Sequence, residues 1–311
     1  MRYIGKKFVT MLITILLVSF FVFVAFAVIP GDPALSKLGT EATYEKLEAL
    51  REEMGLNEPL LKRYGTWIVG FFTGDMGTSY SYDMPVKDMI LDKLPITITL
   101  TVMSFLMIVA VSIPLGIYTA KHQGKAADKT IFVLNQIVMA IPPFFSGILI
   151  TLLFGLVFKL FTPGGFVSYT KSIPDFLAYM VFPCIAVALP KIAMTVKLLR
   201  TSLVDESKKD YVRTAYSKGN DKNGVFFGHM LKNAMIPVIT FLGMILADIA
   251  AGSIIIEQVF NIPGLGRILL TSISNRDYPV VQAIIVWLGI FVIVINFCVD
   301  LLYKVVDPRM R

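Results

Sequence analysis

Six apolar stretches set the frame of this chain. They cover residues 8–29, 97–120, 131–158, 176–199, 237–256 and 280–303, with polar or charged segments between them. About 20 apolar residues are enough for a helix to cross the hydrocarbon core of a bilayer, so each stretch is a predicted membrane span. Pro114, Pro142, Pro143, Pro183 and Pro190 lie inside them. Prolines are tolerated in membrane helices where neighbouring groups satisfy the freed backbone. They predict kinked helices packed in a bundle. The expected fold is an all-α integral membrane protein with six transmembrane helices.

The polar segments give the organisation. Residues 1–29 are a basic start, with Arg2, Lys6 and Lys7, followed by the first span. Ala25-Phe26-Ala27 fits a signal-peptidase site, but a signal peptide's apolar region is only about 7–15 residues long, and a retained span is the better reading. Residues 30–96 hold seven basic and eleven acidic residues and cannot span. Within them, residues 43–54 read as a short amphipathic helix with Leu47 and Leu50 on one face. Residues 62–72 read as a second, partly buried helix, and Gly74-Asp75-Met76-Gly77 as a turn. Tyr64, Trp67, Phe71, Phe72 and Tyr80 argue for a small folded insert. Residues 97–311 form the five remaining spans, with a polar loop at 200–237.

Composition agrees. The 311 residues are 56% hydrophobic and 16% charged, with a mean hydropathy of +0.72; soluble domains carry about 25% charged residues. The net charge of +7 belongs to loops between spans and implies no nucleic-acid partner. Lys and Arg in the short loops divide 16 to 4 between the two sides. Cytoplasmic loops carry that excess, which puts both termini and the 200–233 loop inside and the 30–96 insert outside. Cys184 and Cys298 fall in apolar runs; both read as small core hydrophobes rather than a disulfide framework.

The loop from 200 to 237 is the most distinctive stretch. It holds seven basic residues: Arg200, Lys208, Lys209, Arg213, Lys218, Lys222 and Lys232. Ser207 and Asp210 have capping-box spacing, which predicts a helix from about Lys208, and Gly219 is its natural stop. Tyr211 over Ala215 and Val212 over Tyr216, at i,i+4, give a predicted contact face of Tyr211, Ala215 and Tyr216. Asp221 is placed to cap a second helix running towards Pro237. A solvated connector is the competing reading; a docking helix for a soluble partner is the sharper one.

These residues carry a resemblance. Arg213-Thr214-Ala215, three residues, then Gly219 resembles the coupling loop of ABC-importer membrane subunits, where the family pattern is Glu-Ala-Ala, three residues, Gly. The phrase from Asp210 to Gly219, with His229 to Val238 after it, is similar to the B-type permease subunit of oligopeptide, dipeptide and nickel importers. Arg213 and Thr214 depart from the general pattern, and His229-Met230-Leu231-Lys232 lacks its proline; both departures are usual in the peptide branch. Gly31-Asp32-Pro33, Gly55-Leu56-Asn57, Gly74 to Ser79, Ile141-Pro142-Pro143-Phe144, Glu257 to Gly266, Arg276 to Gln282 and Asp307-Pro308-Arg309 also match, so the likeness covers nearly the whole chain.

The resemblance implies a type I ABC-importer membrane fold in a bacterial cell membrane, multi-pass. It implies a second homologous permease subunit, two ATP-binding subunits and an extracytoplasmic solute-binding protein facing the insert. Tyr211, Arg213, Ala215, Tyr216, Lys218 and Gly219 would couple to the ATPases. The solute would be a peptide, with nickel or a metal chelate, glutathione or heme as alternatives within the family.

The residues themselves bound the chemistry. There is no G-x-x-x-x-G-K-[ST], so ATP and Mg would sit on partner subunits, and the chain itself is not read as an enzyme. Pro263-Gly264-Leu265-Gly266 lacks the Lys and reads as a tight loop into the last span. Two histidines, His122 and His229, make no metal cage, and no cofactor is expected. Polar groups inside spans are functional candidates by default. Asp248 is the leading pathway candidate, with Asn296 behind it; a hydrogen bond to a neighbouring helix is the alternative for Asp248. Asp300 reaches interfacial water in this reading. A gradient-driven secondary transporter would show an internal repeat, and none is visible. An intramembrane hydrolase would need a nucleophile with a base.

Overall fold

The structure, a computed structural model, describes residues 2–28, 33–38 and 43–306. Gly31, Asp32 and Asp307-Pro308-Arg309, which contribute to the resemblance, lie outside them, as does the side chain of Asp300. The helices in order are α1 (Arg2–Val28), α2 (Pro33–Leu38), α3 (Tyr44–Glu53), α4 (Leu60–Thr73), α5 (Val86–Lys121) and α6 (Ala126–Ala140). Then come α7 (Pro143–Ile150), α8 (Ile173–Glu206), α9 (Asp210–Ser217), α10 (Lys222–Val225), α11 (Leu231–Val259), α12 (Leu265–Ser274) and α13 (Tyr278–Val306). Two π-helical turns, Thr151–Val157 and Phe226–Met230, continue α7 and join α10 to α11.

Among the described residues five helices are long and apolar enough to cross a membrane: Ile4–Val28, Val86–Lys121, Ile173–Glu206, Lys222–Val259 and Tyr278–Val299. The sixth predicted span, 131–158, is not straight. It consists of α6 and the α7 segment, bent by 100°. Two successive prolines explain this. Each removes a backbone donor, and each pushes the residue before it into extended backbone. Ile141 (φ −86°, ψ 119°) and Pro142 (φ −62°, ψ 144°) are both extended. Isolated prolines are absorbed instead: Pro183 and Pro190 lie within α8, and Pro237, predicted to begin a span, lies inside α11.

The chain separates into two compact units. The first is Met1–Thr97 with Pro263–Val294. In it the predicted helices of the insert appear as α3, capped by Thr43, and α4, stopped by Gly74 at φ +96°. α4 lies along the second half of α1 in the same direction. The Tyr64 ring meets Phe20 and its hydroxyl meets Ser19 Oγ at 2.9 Å, and one turn on Trp67 meets Phe23. Tyr64 and Trp67 are thus spent on the first helix, Phe71 meets Trp287 of α13 with ring centroids 6.4 Å apart, and Phe72 stays exposed. Asp277, fully buried, is the other fixed point. Its carboxylate accepts from Ser79 Oγ (2.5 Å), Tyr80 N (3.0 Å) and Ser81 N (3.3 Å), which ties the 74–85 loop to the start of α13. Tyr80, half-buried and beside that carboxylate, has its phenol pushed up to about 12 by desolvation and by the Asp277 charge. Pro263-Gly264-Leu265-Gly266, predicted as a plain loop, opens α12: Gly264 stands at its N-cap, and Leu265 N donates to Thr97 Oγ1 at 2.9 Å.

The second unit is Ile98–Ile262 with Ile295–Arg311. α6, α7 and α11 pack on α8, around a core that includes Met180, Leu199, Ile249 and Ile256. Pro190 has no N–H for the Ala186 carbonyl one turn earlier. Ser146 Oγ, from α7, donates to that carbonyl at 3.0 Å, so the broken span caps the proline helix. Gly116 lets α5 approach α8; a Cβ there would meet Leu199 at 2.9 Å. Cys184 is buried as expected, while Cys298 is exposed and so is not a core residue of this chain.

Candidate functional site

The 200–237 loop is built on the end of α8. Ser207, with helical backbone (φ −61°, ψ −21°), caps the C-terminus of α8, and its hydroxyl donates back to Val204 O at 2.6 Å. The predicted capping box with Asp210 therefore does not form, because an N-cap must be extended and must accept. Lys209 (φ −77°, ψ 148°) takes the N-cap place without a side-chain bond. α9 accordingly has 8 residues, Asp210–Ser217, a length of about 12 Å. Its stop is as predicted. Gly219 adopts φ +84°, its N–H returns to Tyr216 O at 2.9 Å, and Asn220 Nδ2 donates to Ala215 O. Asp221 caps the next helix, accepting from Gly224 N at 3.1 Å.

The predicted contact face of α9 divides in two. Val212 and Ala215 are buried against the chain's own helices. Tyr211 is half-buried and donates its hydroxyl to Glu206 Oε2 at 2.5 Å. Burial, reinforced by that bond, raises the Tyr211 phenol above its ordinary value. Lys209 Nζ reaches the other oxygen of Glu206, also at 2.5 Å. Glu206 thus anchors α9 at two points. Arg213, Tyr216, Lys218 and Gly219 face outward. Ala215 belongs with the buried set because α9 spends its apolar stripe, positions 212 and 215, on its own chain.

Around this anchor lies a cleft of about 400 Å³ whose walls include Lys121, Leu203, Val212, Tyr216 and Phe226. The Lys121 ammonium sits over the rings of Phe226 (4.7 Å) and Phe227 (4.3 Å), joining the end of α5 to the π-helical turn; cation–π contacts of this kind add about 0.5–2 kcal/mol. Arg200, on α8, grips Asp128, on α6, with two bonds of 2.5 and 2.7 Å. α9 is therefore anchored to α8 through Glu206, and α8 is in turn braced to α6 by Arg200 and Asp128. Glu206, Asp128 and Lys121 were not singled out from the sequence. For Glu206 the available signal was an acid at the end of a long apolar run, three residues before Lys209; Asp128 and Lys121 find their partners, Arg200 and the Phe226-Phe227 pair, only in three dimensions.

Away from the loop, Asp248 stands exposed near the middle of α11 and is ion-paired with Lys191 of α8. Lys191 interrupts the predicted 176–199 span and was itself readable as an intramembrane charge. Asn296 is exposed on α13. Among the described residues no cluster of three His, Cys, Asp or Glu side chains suits a metal ion.

Comparison with known proteins places the chain. Residues 112–311 match the family model described as binding-protein-dependent transport system inner membrane component. Residues 1–101 match the corresponding N-terminal family. A probable peptide ABC transporter permease protein of Sinorhizobium fredii, y4tP, is 31% identical over 99% of both chains. The oligopeptide transport system permease protein AppB of Bacillus subtilis is 33% identical over 93% of this chain and 92% of its own length. The glutathione transport system permease protein GsiC of Escherichia coli is 32% identical over 100% of this chain and 99% of its own.

Proposed function

The chain belongs to the family of inner membrane components of binding-protein-dependent transport systems, and we propose that it is the B-type permease subunit of a peptide importer. Members of this family are multi-pass permease subunits with the type I importer membrane fold, and they work with ATPase and substrate-binding partners. The peptide solute is supported by the relatives from S. fredii and B. subtilis. A glutathione solute is the second reading, supported by the E. coli relative. The ligand carried by the binding protein that co-purifies with this chain discriminates the two.

In this reading the chain pairs with a second homologous permease, and two ATPases dock on the inner face. The charge bias puts both termini and α9 in the cytoplasm and the 30–96 insert outside, facing the solute-binding protein. ATP and Mg belong to the ATPases, because this chain has no phosphate-binding loop. Asp248 and Asn296 are the pathway candidates.

The observation that carries the proposal is the anchoring of α9. Its inner side is fixed by Val212, Ala215 and the Glu206–Tyr211 bond, while Arg213, Tyr216 and Lys218 are free for a partner. A displacement of α9 by the ATPases would pass through Glu206 into α8, and through Arg200 and Asp128 into α6. The spans would then tilt as connected rods. Ala215→Glu, an obvious undocking variant from sequence alone, would instead damage the chain's own packing.

The better test uses the outward residues. In purified complexes, Arg213→Glu with Tyr216→Ala should lose ATPase co-purification and solute uptake while the spans still insert. Gly219→Val should also lose uptake, since a β-branched residue fits φ +84° poorly. Lys208→Ala should have little effect, because its partner Asp205 is exposed too and such pairs are worth about 0–1 kcal/mol. Retention of the ATPases and normal import by the first two variants would make the loop a solvated connector and end the proposal.

A further inference from the structure

The centre of α8 and the centre of α11 each carry one charge, and the two charges meet. Lys191 is 18 residues into α8 and Asp248 17 residues into α11. Charged side chains at such depth are costly and face a bundle interior or a water-filled cavity. The pair is lopsided. The Lys191 side chain is 14% exposed, while that of Asp248 is 67% exposed. The acid stands in an outward stripe of α11 with Met244 (59%) and Ile255 (55%), at helical spacing. If that stripe met acyl chains, an exposed carboxylate would lie in hydrocarbon. An aqueous gap is the surface that fits it.

Resting on the reading of this chain as an importer permease, we propose that Lys191 and Asp248 form a two-sign station in the translocation pathway. It would receive the oppositely charged groups of a zwitterionic solute, the amine at Asp248 and the carboxylate at Lys191. Lysine suits this role. Its ammonium has three donors and no acceptor, so it can hold Asp248 and a second oxygen together. Its stem is buried, and the backbone just before it is fixed by Pro190 and by the Ser146–Ala186 bond. The ammonium is thus held at the edge of the gap, while the carboxylate stays open to it. The methionines at 194 and 244, 39% and 59% exposed, give the surrounding surface flexible, adaptable side chains, which fits a solute of variable shape.

The experiment uses the complete complex, with its partner permease, ATPases and binding protein, in proteoliposomes. The probe is an equimolar tripeptide library, and imported members are read by mass spectrometry. Lys191→Gln leaves an acidic station and should shift import towards Lys- and Arg-containing members, about five-fold relative to Asp- and Glu-containing ones. Asp248→Asn leaves a basic station and should shift import the opposite way. The binding protein is unchanged, so the shift belongs to the membrane step. A uniform fall across all members, unchanged import, or failure of both variants to assemble would each make the pair a structural bond, or a contact to the partner permease, and overturn the station. If the wild-type complex imports no member, the peptide-importer reading itself falls, which is a separate and visible outcome.

Discussion

Asp277 illustrates what a single buried side chain does here. Its two oxygens take a hydroxyl and two backbone N–H groups from residues 79–81, with no exposure to solvent. Deleting the carboxylate strands donors, and each buried unsatisfied group costs about 1–3 kcal/mol. Asp277→Ala should therefore lower the unfolding midpoint of the detergent-solubilised protein by several degrees. Ser79→Ala removes one of the three donors to Asp277 and the acceptor of Tyr82 N at 3.1 Å, but leaves the carboxylate with its two backbone bonds and should cost less. Equal effects would mean that the loop is held by something else. The sequence showed the phrase Arg276-Asp277-Tyr278-Pro279 but not its partner, because Ser79 lies 198 positions away and no local pattern joins them. The stop at Gly219 was legible for the opposite reason: a positive φ is a local demand, and glycine announces it. Ala215, expected on an open contact face, is buried within its own chain, because i,i+4 spacing fixes which residues share a face, not what that face meets.

At the scale of elements, hydropathy located the spans, and proline chemistry decided their shape. Isolated prolines are absorbed, as Pro183 and Pro190 are in α8, and at Pro190 a serine takes the orphaned carbonyl; two in succession break the helix, as between α6 and α7. The Ser146–Pro190 arrangement makes this testable. Ser146→Ala should leave the Ala186 carbonyl without its donor and cost about 1–3 kcal/mol. Pro190→Ala restores an N–H to that carbonyl. In the Pro190→Ala background, Ser146→Ala should then cost much less, and the double-mutant cycle should show clear coupling, as contacting residues do. Additive effects on thermal unfolding would show that Ser146 serves only its second acceptor, Pro143 O, at 2.7 Å. The bond itself was invisible in the sequence, since α7 and α8 meet only in three dimensions. Lys191 was missed for a different reason: the intramembrane reading attended to acids and amides, although a lysine within a span carries the same signal.

For the whole molecule, the apolar pattern and the scattered family phrases made the class and the family legible, because both depend on composition and order along the chain. Orientation is a property of the molecule in its membrane, and it rests on the 16-to-4 division of Lys and Arg. The structure offers two good reporters. Ser81 and Ser217 are both exposed, the first in the 74–85 loop and the second at the end of α9. Ser217 Oγ donates only to Arg213 O within its own helix, so its replacement disturbs little. Ser81 contributes its backbone N–H, not its side chain, to Asp277, so a cysteine there keeps that bond. Cys298, exposed on α13, must first be replaced to remove background labelling; Cys184 is buried. In intact cells, cysteine at 81 should react with an impermeant thiol reagent and cysteine at 217 should not. After permeabilisation both should react. Labelling of 217 and protection of 81 in intact cells would invert the molecule. That result would place α9 on the side where no ATP is available, and the coupling role of Arg213, Tyr216 and Lys218 would fall with it.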